Sequence, residues 1–399
     1  MRIPDASAQR ILSIDTMRGL TLFLMLFVND VYTPGVPQWI GHTEASVDGM
    51  GLADWVFPGF LFMVGMAIPY TLHSRRKKGE TNWQVFGHIV FRTISLLLIG
   101  VLMVNIGRLN AALTGINRNL WAVLLYVAIF LVWNQYPARN RRNRYFAGLK
   151  TLGVIGLCIL VLVFRAGEPG AVSWLTTSWW GILGLIGWGY FVAATVCLLV
   201  GEKLIPIVGI WVFFILLNML SQWGLLESVD FLNPVFGVVI SGNIPSIVLA
   251  GLIVSLILRR TAKPSVRTVF QIAALGLASL GVGFFLRQWF IVSKIYGTPS
   301  WAMICNGISM ILYALLYLIV DYWQRYRWTG LFQAAGKNSL TTYLAPDIIY
   351  YSCWGLGIPL FFYKQDSSQL LAITGSVGWA FAMIGFAVLL SKINIRLKL

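Results

Sequence analysis

Long apolar runs separated by short polar connections set the pattern of this chain. They fall near residues 12–32, 54–72, 89–106, 120–134, 150–165, 179–200, 205–222, 236–258, 268–291, 302–322, 339–352 and 370–391. Wound as helices, runs of roughly 20 apolar residues match the hydrocarbon thickness of a bilayer. The pattern therefore predicts an all-α, polytopic integral membrane helix bundle of about 12 transmembrane helices, or 10 to 12 because two of the runs are short. No connection is longer than about 20 residues, so residues 1–399 read as a single domain. The first run is followed at once by another with no small-residue cleavage site between them, and no removable signal peptide is expected.

Composition agrees with this class. Hydrophobic residues make up 58% and charged residues 11% of the chain, and the mean hydropathy is +0.77, which excludes an ordinary soluble domain that covers itself with charge. The net charge of +16 does not call for a nucleic-acid partner. The basic residues cluster in alternate connections: Arg75, Arg76, Lys77 and Lys78, then Arg139, Arg141, Arg142 and Arg144, then Arg259, Arg260, Lys263 and Arg267. With the N-terminal stretch to Arg18, the stretch from Arg325 to Lys337, and the tail carrying Lys392, Arg396 and Lys398, most of the 30 Lys and Arg share one side. The positive-inside rule makes that side cytoplasmic and places both termini there, in a cell membrane, the inner membrane if the source is bacterial. Residues 33 to 53 then face outward. Cys158, Cys197, Cys305 and Cys353 are scattered, without the paired spacing of a metal site or a redox dithiol.

The informative stretch is the first seventy residues. From Gly19 to Ser74 there is no Lys or Arg, yet Asp30, Glu44, Asp48 and Asp54 lie there with His42, in a loop rich in Gly and Pro. Carboxylates around one imidazole suit proton transfer and the binding of a cationic or polyol substrate, because imidazole titrates nearest neutrality. A solvated loop that avoids basic residues for topological reasons has the same composition. Polar groups at membrane depth are expensive and usually meet a cavity or a partner. Asp15 and Arg18, three residues apart on the first helix, can form an ion pair or contact a ligand. Asn29 can bond between helices or serve a site.

The string Asp15-Thr16-Met17-Arg18-Gly19-Leu20, then Phe27-Val28-Asn29, a His in the next loop, and Leu52-Ala53-Asp54-Trp55-Val56-Phe57-Pro58 running on to Gly65 resemble the heparan-alpha-glucosaminide N-acetyltransferase family and its bacterial relatives. A second match is Gly336-Lys337-Asn338-Ser339-Leu340 with Tyr343. The resemblance implies transfer of an acetyl group from cytoplasmic acetyl-CoA to the amine of a terminal glucosamine across the membrane. It makes His42 the reactive histidine and Asn29 the catalytic asparagine. The sequence departs at Ala45, where the family commonly has a Trp, and in a longer spacing between His42 and Asp54.

The implied chemistry is sound. A neutral imidazole can take the acceptor's proton or attack the thioester itself, and Asn29 can hydrogen-bond the carbonyl oxygen as charge develops. Asp54 can either orient His42 or hold the acceptor's hydroxyls and ammonium. CoA phosphates would enter from the basic face, where Arg18, Asp15, the Arg75 to Lys78 cluster, Lys337, Asn338 and Ser339 are available. No metal is expected: His73 and His88 read as interfacial. Asp347 reads as a buried acid that faces the substrate cavity or pairs with Arg287. The expected partners are acetyl-CoA, an amino-sugar or glycan acceptor and the lipid bilayer, with no nucleic acid; a homodimer is compatible with the sequence. A transporter or flippase for a sugar or lipid-linked saccharide is the main alternative. It would show broken helices in matching halves, whereas the polar motifs here crowd into the first two spans and one late segment. An inactive relative of the acetyltransferase is the third reading.

Overall fold

A computed structural model describes residues 11–137, 143–261 and 263–399; Arg139, Arg141 and Arg142 of the second basic cluster lie outside the described residues. The helices in chain order are α1 (Leu12–Asp30), α2 (Leu52–Lys77), α3 (Asn82–Asn105), α4 (Ala111–Thr114), α5 (Arg118–Trp133), α6 (Asn143–Val163), α7 (Gly181–Val200), α8 (Leu204–Gln222), α9 (Asn233–Ile240), α10 (Asn243–Arg259), α11 (Val266–Leu286), α12 (Pro299–Tyr317), α13 (Gly330–Lys337), α14 (Ser339–Leu356) and α15 (Gln369–Lys392). Eleven of the twelve predicted runs each fall on one helix, and the run near 236–258 falls on two, α9 and α10, broken at Ser241 and Gly242. Among the described residues, ten helical stretches are long and apolar enough to cross a bilayer. The two remaining runs form α5, of 16 residues, and α14, whose 18 residues include Pro346 and Asp347. One connection is not purely irregular: Ala166–Glu168 pairs antiparallel with Ala171–Ser173, closed by Pro169 and Gly170, residues suited to a tight turn.

Helices α2 and α10 are buried along nearly their whole lengths and form the centre of the bundle. In contrast, α6, α8 and α11 expose large apolar side chains such as Ile159, Phe213 and Phe284, as helices do when lipid is the solvent around them. Their apolar faces thus need no protein partner.

The ends of α1 and α2 are fixed by side chains and loops. At the start of α1, the backbone N–H groups of Leu12 and Ser13 donate to the Asp321 carboxylate at 2.9 and 3.1 Å. Asp321 lies in a π-helical turn, Leu318–Tyr322, that continues α12. At the start of α2, Leu52 N–H donates to Trp39 O (2.7 Å) and Ala53 N–H to Ile40 O (3.2 Å), so the preceding loop satisfies donors that a helix N-terminus leaves over. This docking carries His42 to the mouth of α2. The indoles of Trp55, bonded to Ser309 Oγ at 3.1 Å, and Trp301, bonded to Asp54 O at 3.2 Å, fasten α2 to α12.

Candidate functional site

Asp54 is the third residue of α2 and its side chain is 2% exposed. One carboxylate oxygen, Oδ2, accepts the backbone N–H groups of Gly51 and Thr43, both at 3.0 Å. The other, Oδ1, lies 2.7 Å from His42 Nδ1. A contact that short between an ionised carboxylate and a ring nitrogen places a proton on Nδ1, so Nδ1–H donates to Asp54 and, in the neutral ring, the lone pair lies on Nε2. His42 is half exposed, so this basic nitrogen belongs to an accessible ring. The Asp54 oxygens accept from His42 and two backbone donors, an arrangement suited to orienting the imidazole.

A third ionisable group stands in this cluster. Lys294, from the connection between α11 and α12, places Nζ 3.2 Å from His42 Nδ1, 3.9 Å from Asp54 Oδ1 and 3.4 Å from Ala53 O. Burial pushes its ammonium below the usual lysine range, and the neighbouring Asp54 opposes that shift. Lys294 is held there because its connection is laced to the His42 loop. Ser293 Oγ donates to Ala45 O (2.9 Å), Gly49 N–H to Val292 O (3.0 Å), and Arg287 Nε to Asp48 Oδ2 (2.8 Å). Val292 N–H also donates to Asp48 Oδ1 at 2.7 Å; this bond, followed by Arg287, holds the Asp48 carboxyl below its usual range.

His42 and Lys294 open into a cavity of about 600 Å³, lined also by Asn29, Phe57, Trp179, Asn243 and Trp301. Asn29, at the last turn of α1, is exposed to this cavity. A second cavity of about 360 Å³ lies toward the basic end of the bundle, lined by Arg18, Arg75, His88, Arg92, Ser339, Lys337 and Lys398. Arg92 packs over the Tyr190 ring, 4.5 Å from its centroid, and its Nε is buried with no hydrogen-bond partner among the described residues. A buried guanidinium nitrogen in a cationic cavity is a donor prepared for an anion. Met25 and Ile182 line both cavities.

Residues 10–224 match the family described as Domain of unknown function (DUF5009). This chain belongs to the DUF5009 family. It is also similar to heparan-alpha-glucosaminide N-acetyltransferase of Mus musculus, 35% identical over 141 residues that cover 33% of this chain and 21% of the mouse protein. The human protein of the same name, from Homo sapiens, is 38% identical over 101 residues, covering 25% of this chain and 15% of that protein. The matched stretch is thus about a fifth or less of those relatives.

In this DUF5009 chain the sequence motifs fall at two separate places. His42 and Asn29 share the first cavity, with Asp54 directly behind His42. Arg18, Lys337 and Ser339 share the second. Asp15 does not line the second cavity; it is buried beside Arg18, with 3.7 Å between Asp15 Oδ1 and Arg18 Nη1. Asn338 is also displaced from it. It caps its own turn through Ala334 O at 3.2 Å and faces a neighbouring pocket with Gln135 and Arg396. Asp347 does not pair with Arg287, which is taken by Asp48; Asp347 lies against Tyr126 instead.

Two motif glycines explain how residues more than 300 positions apart share a cavity. A Cβ on Gly19 would strike the backbone of Phe332, and one on Gly336 would strike the backbone of Asp15. Helices α1 and α13 therefore touch backbone to backbone, which lets Arg18 Nη1 donate to Gly336 O at 3.4 Å. Gly336→Val is expected to push α13 off α1 and destabilise the protein by about 1–3 kcal/mol, as overpacking does. Thermal unfolding of the detergent-purified protein checks this, and unchanged stability would refute the close-packing account.

Lys294 and Arg92 were missed by reading the sequence. Arg92 had a signal, a charge inside the predicted run 89–106. Lys294 had none, being one residue in a connection with no motif around it.

Proposed function

We propose that this chain is a transmembrane acetyltransferase, taking the acetyl group from acetyl-CoA at its basic, cytoplasmic end and passing it to the amine of a glucosamine-type sugar or related glycan at the opposite end. The observation that carries the reading is the pair of cavities, one cationic and one holding the His42–Asp54 pair, with Met25 and Ile182 lining both. The names of the two relatives support the reaction class. Arg18, Arg75, Arg92, Lys337 and Lys398 would hold CoA phosphates, and the thin pantetheine arm would pass between α1 and α7 toward His42.

His42 Nε2 serves transfer in either of two ways. As a base it takes a proton from the acceptor's amine while that nitrogen attacks the thioester carbonyl and the C–S bond breaks. As a nucleophile it attacks the thioester first, releasing CoA thiolate, and the acceptor's nitrogen then takes the acetyl group as the C–N bond to the ring breaks. Both routes need the lone pair on Nε2, and Asp54, by accepting from Nδ1–H, favours the tautomer of the neutral ring that places it there. The Asn29 side-chain amide would donate to the carbonyl oxygen as it becomes negative.

The test is incubation of the detergent-purified protein with radiolabelled acetyl-CoA, with and without glucosamine and glucosamine-terminated oligosaccharides. Label on the sugar together with released CoA is the expected result. Failure to bind acetyl-CoA at all would overturn the proposal.

A further inference from the structure

Lys294 is the group that the proposed reaction leaves unused and that lies closest to its reactive ring. We infer that Lys294 sets the charge of His42: its ammonium offsets Asp54, so that the imidazole stands neutral and its Nε2 lone pair is available. The chemical meaning of this inference rests on the proposed transfer, but the charge relation can be measured without it.

The argument begins with what Asp54 would do alone. A buried carboxylate hydrogen-bonded to a ring nitrogen favours the imidazolium, because the positive ring and negative oxygen lie 2.7 Å apart. A histidine held in that state is neither a base nor a nucleophile. Lys294 brings a second positive charge to the same carboxylate oxygen and to the same ring nitrogen, at 3.9 and 3.2 Å. Two cations then compete for one anion, and the second proton on the imidazole is resisted. The Lys294 side chain is only 26% exposed, so solvent screens this competition weakly.

Among the described residues, the other side chains around His42 do not supply that charge. Arg287 and Asp48 neutralise each other between the same two loops. The N-terminus of α2, whose Gly51 N–H is bonded to Asp54, adds a partial positive charge that acts in the same direction as Lys294. Glu44 is exposed on the His42 loop, and Cys305, on α12, is a buried thiol. Nor is Lys294 needed to satisfy Asp54, which already accepts from His42, Gly51 and Thr43.

Lys294 is accordingly a positioning residue in the electrostatic sense. Its effect on any transfer runs through the protonation of His42, so the test must read that protonation directly. Of the two protonation states of an imidazole, diethylpyrocarbonate modifies the neutral one, and its rate at His42, followed across pH by mass spectrometry of the peptide containing that residue, gives the midpoint at which the ring loses its proton. In Lys294→Met and Lys294→Gln the midpoint is expected to rise by about one to two pH units, while Lys294→Arg keeps the wild-type midpoint. The isosteric pair of Met and Gln guards against one variant failing to fold. A midpoint unmoved in both neutral variants, or moved equally by Arg, would overturn the inference. Because no acetyl-CoA is present, absence of transferase activity would count against the proposed function and leave this result intact. Where transfer is observed, the acid limb of kcat/KM should move with the same midpoint.

Discussion

In the His42→Ala variant, the proposed acetyl transfer is expected to fall on the order of 10³-fold, the scale of a lost general base, with affinity for the proposed acetyl-CoA donor nearly unchanged. The separation follows from geometry: His42 lies in the cavity away from the cationic cluster that would hold CoA, so deleting it removes chemistry and not binding. Asp54→Asn should come close to the same loss. To keep accepting from Gly51 and Thr43, the Asn side chain must present its oxygen to those two N–H groups, and its amide hydrogens then face His42 Nδ1. That nitrogen becomes an acceptor, the ring proton moves to Nε2, and the lone pair needed for transfer is lost. Steady-state transfer assays paired with calorimetric acetyl-CoA titrations check both variants. Full activity in His42→Ala would remove the mechanism, and full activity in Asp54→Asn would remove the tautomer argument.

The largest effect on stability is expected at Asp30. Its side chain is fully buried at the end of α1, 2.8 Å from Lys364 Nζ, and it accepts the hydroxyls of Tyr363, at 2.9 Å, and Tyr350. Burial, followed by this carboxylate, pushes the Tyr363 hydroxyl above its usual range. The Lys364 ammonium also packs over the rings of Tyr350 and Phe361, at 4.9 and 4.8 Å. Asp30→Ala removes the anion and strands a mostly buried cation with two hydroxyls, at a cost of about 3–5 kcal/mol. Because Asn29 is the preceding residue, the C-terminal end of α1 should loosen as well. The double variant Asp30→Ala with Lys364→Met is expected to recover part of the loss, since no uncompensated charge remains. Thermal unfolding in detergent measures all three proteins. A single Asp30 variant as stable as wild type would show that the cluster does not hold the loop after α14 against α1.

Much of this architecture was legible from local pattern. Apolar runs became helices because helix formation in lipid depends on length and hydropathy within one segment; the shortest runs, α5 and α14, are not among the stretches long and apolar enough to cross, and the run near 236–258 broke into α9 and α10. The extra hairpin near Pro169 was too short to leave a pattern. The motif residues also announced themselves, since Asp15, Arg18, Asn29 and Asp54 are polar groups in apolar surroundings. Their division of labour was not legible. Asp15 and Asn338 looked equivalent to Arg18 and Ser339 in sequence, and only packing turns the first two away from the basic cavity.

The class of molecule, most helices, the crowding of acidic and imidazole groups before α2, and the family resemblance can all be read along the chain. Which charges meet depends on packing. Lys294 reaches His42 across 252 positions, Arg18 reaches Gly336 across 318, and Tyr363 reaches Asp30 across 333. Hydropathy is a property of a segment and survives in one dimension. The charge state of a catalytic group is a property of its neighbours within a few ångströms, and those neighbours are chosen only when the helices pack.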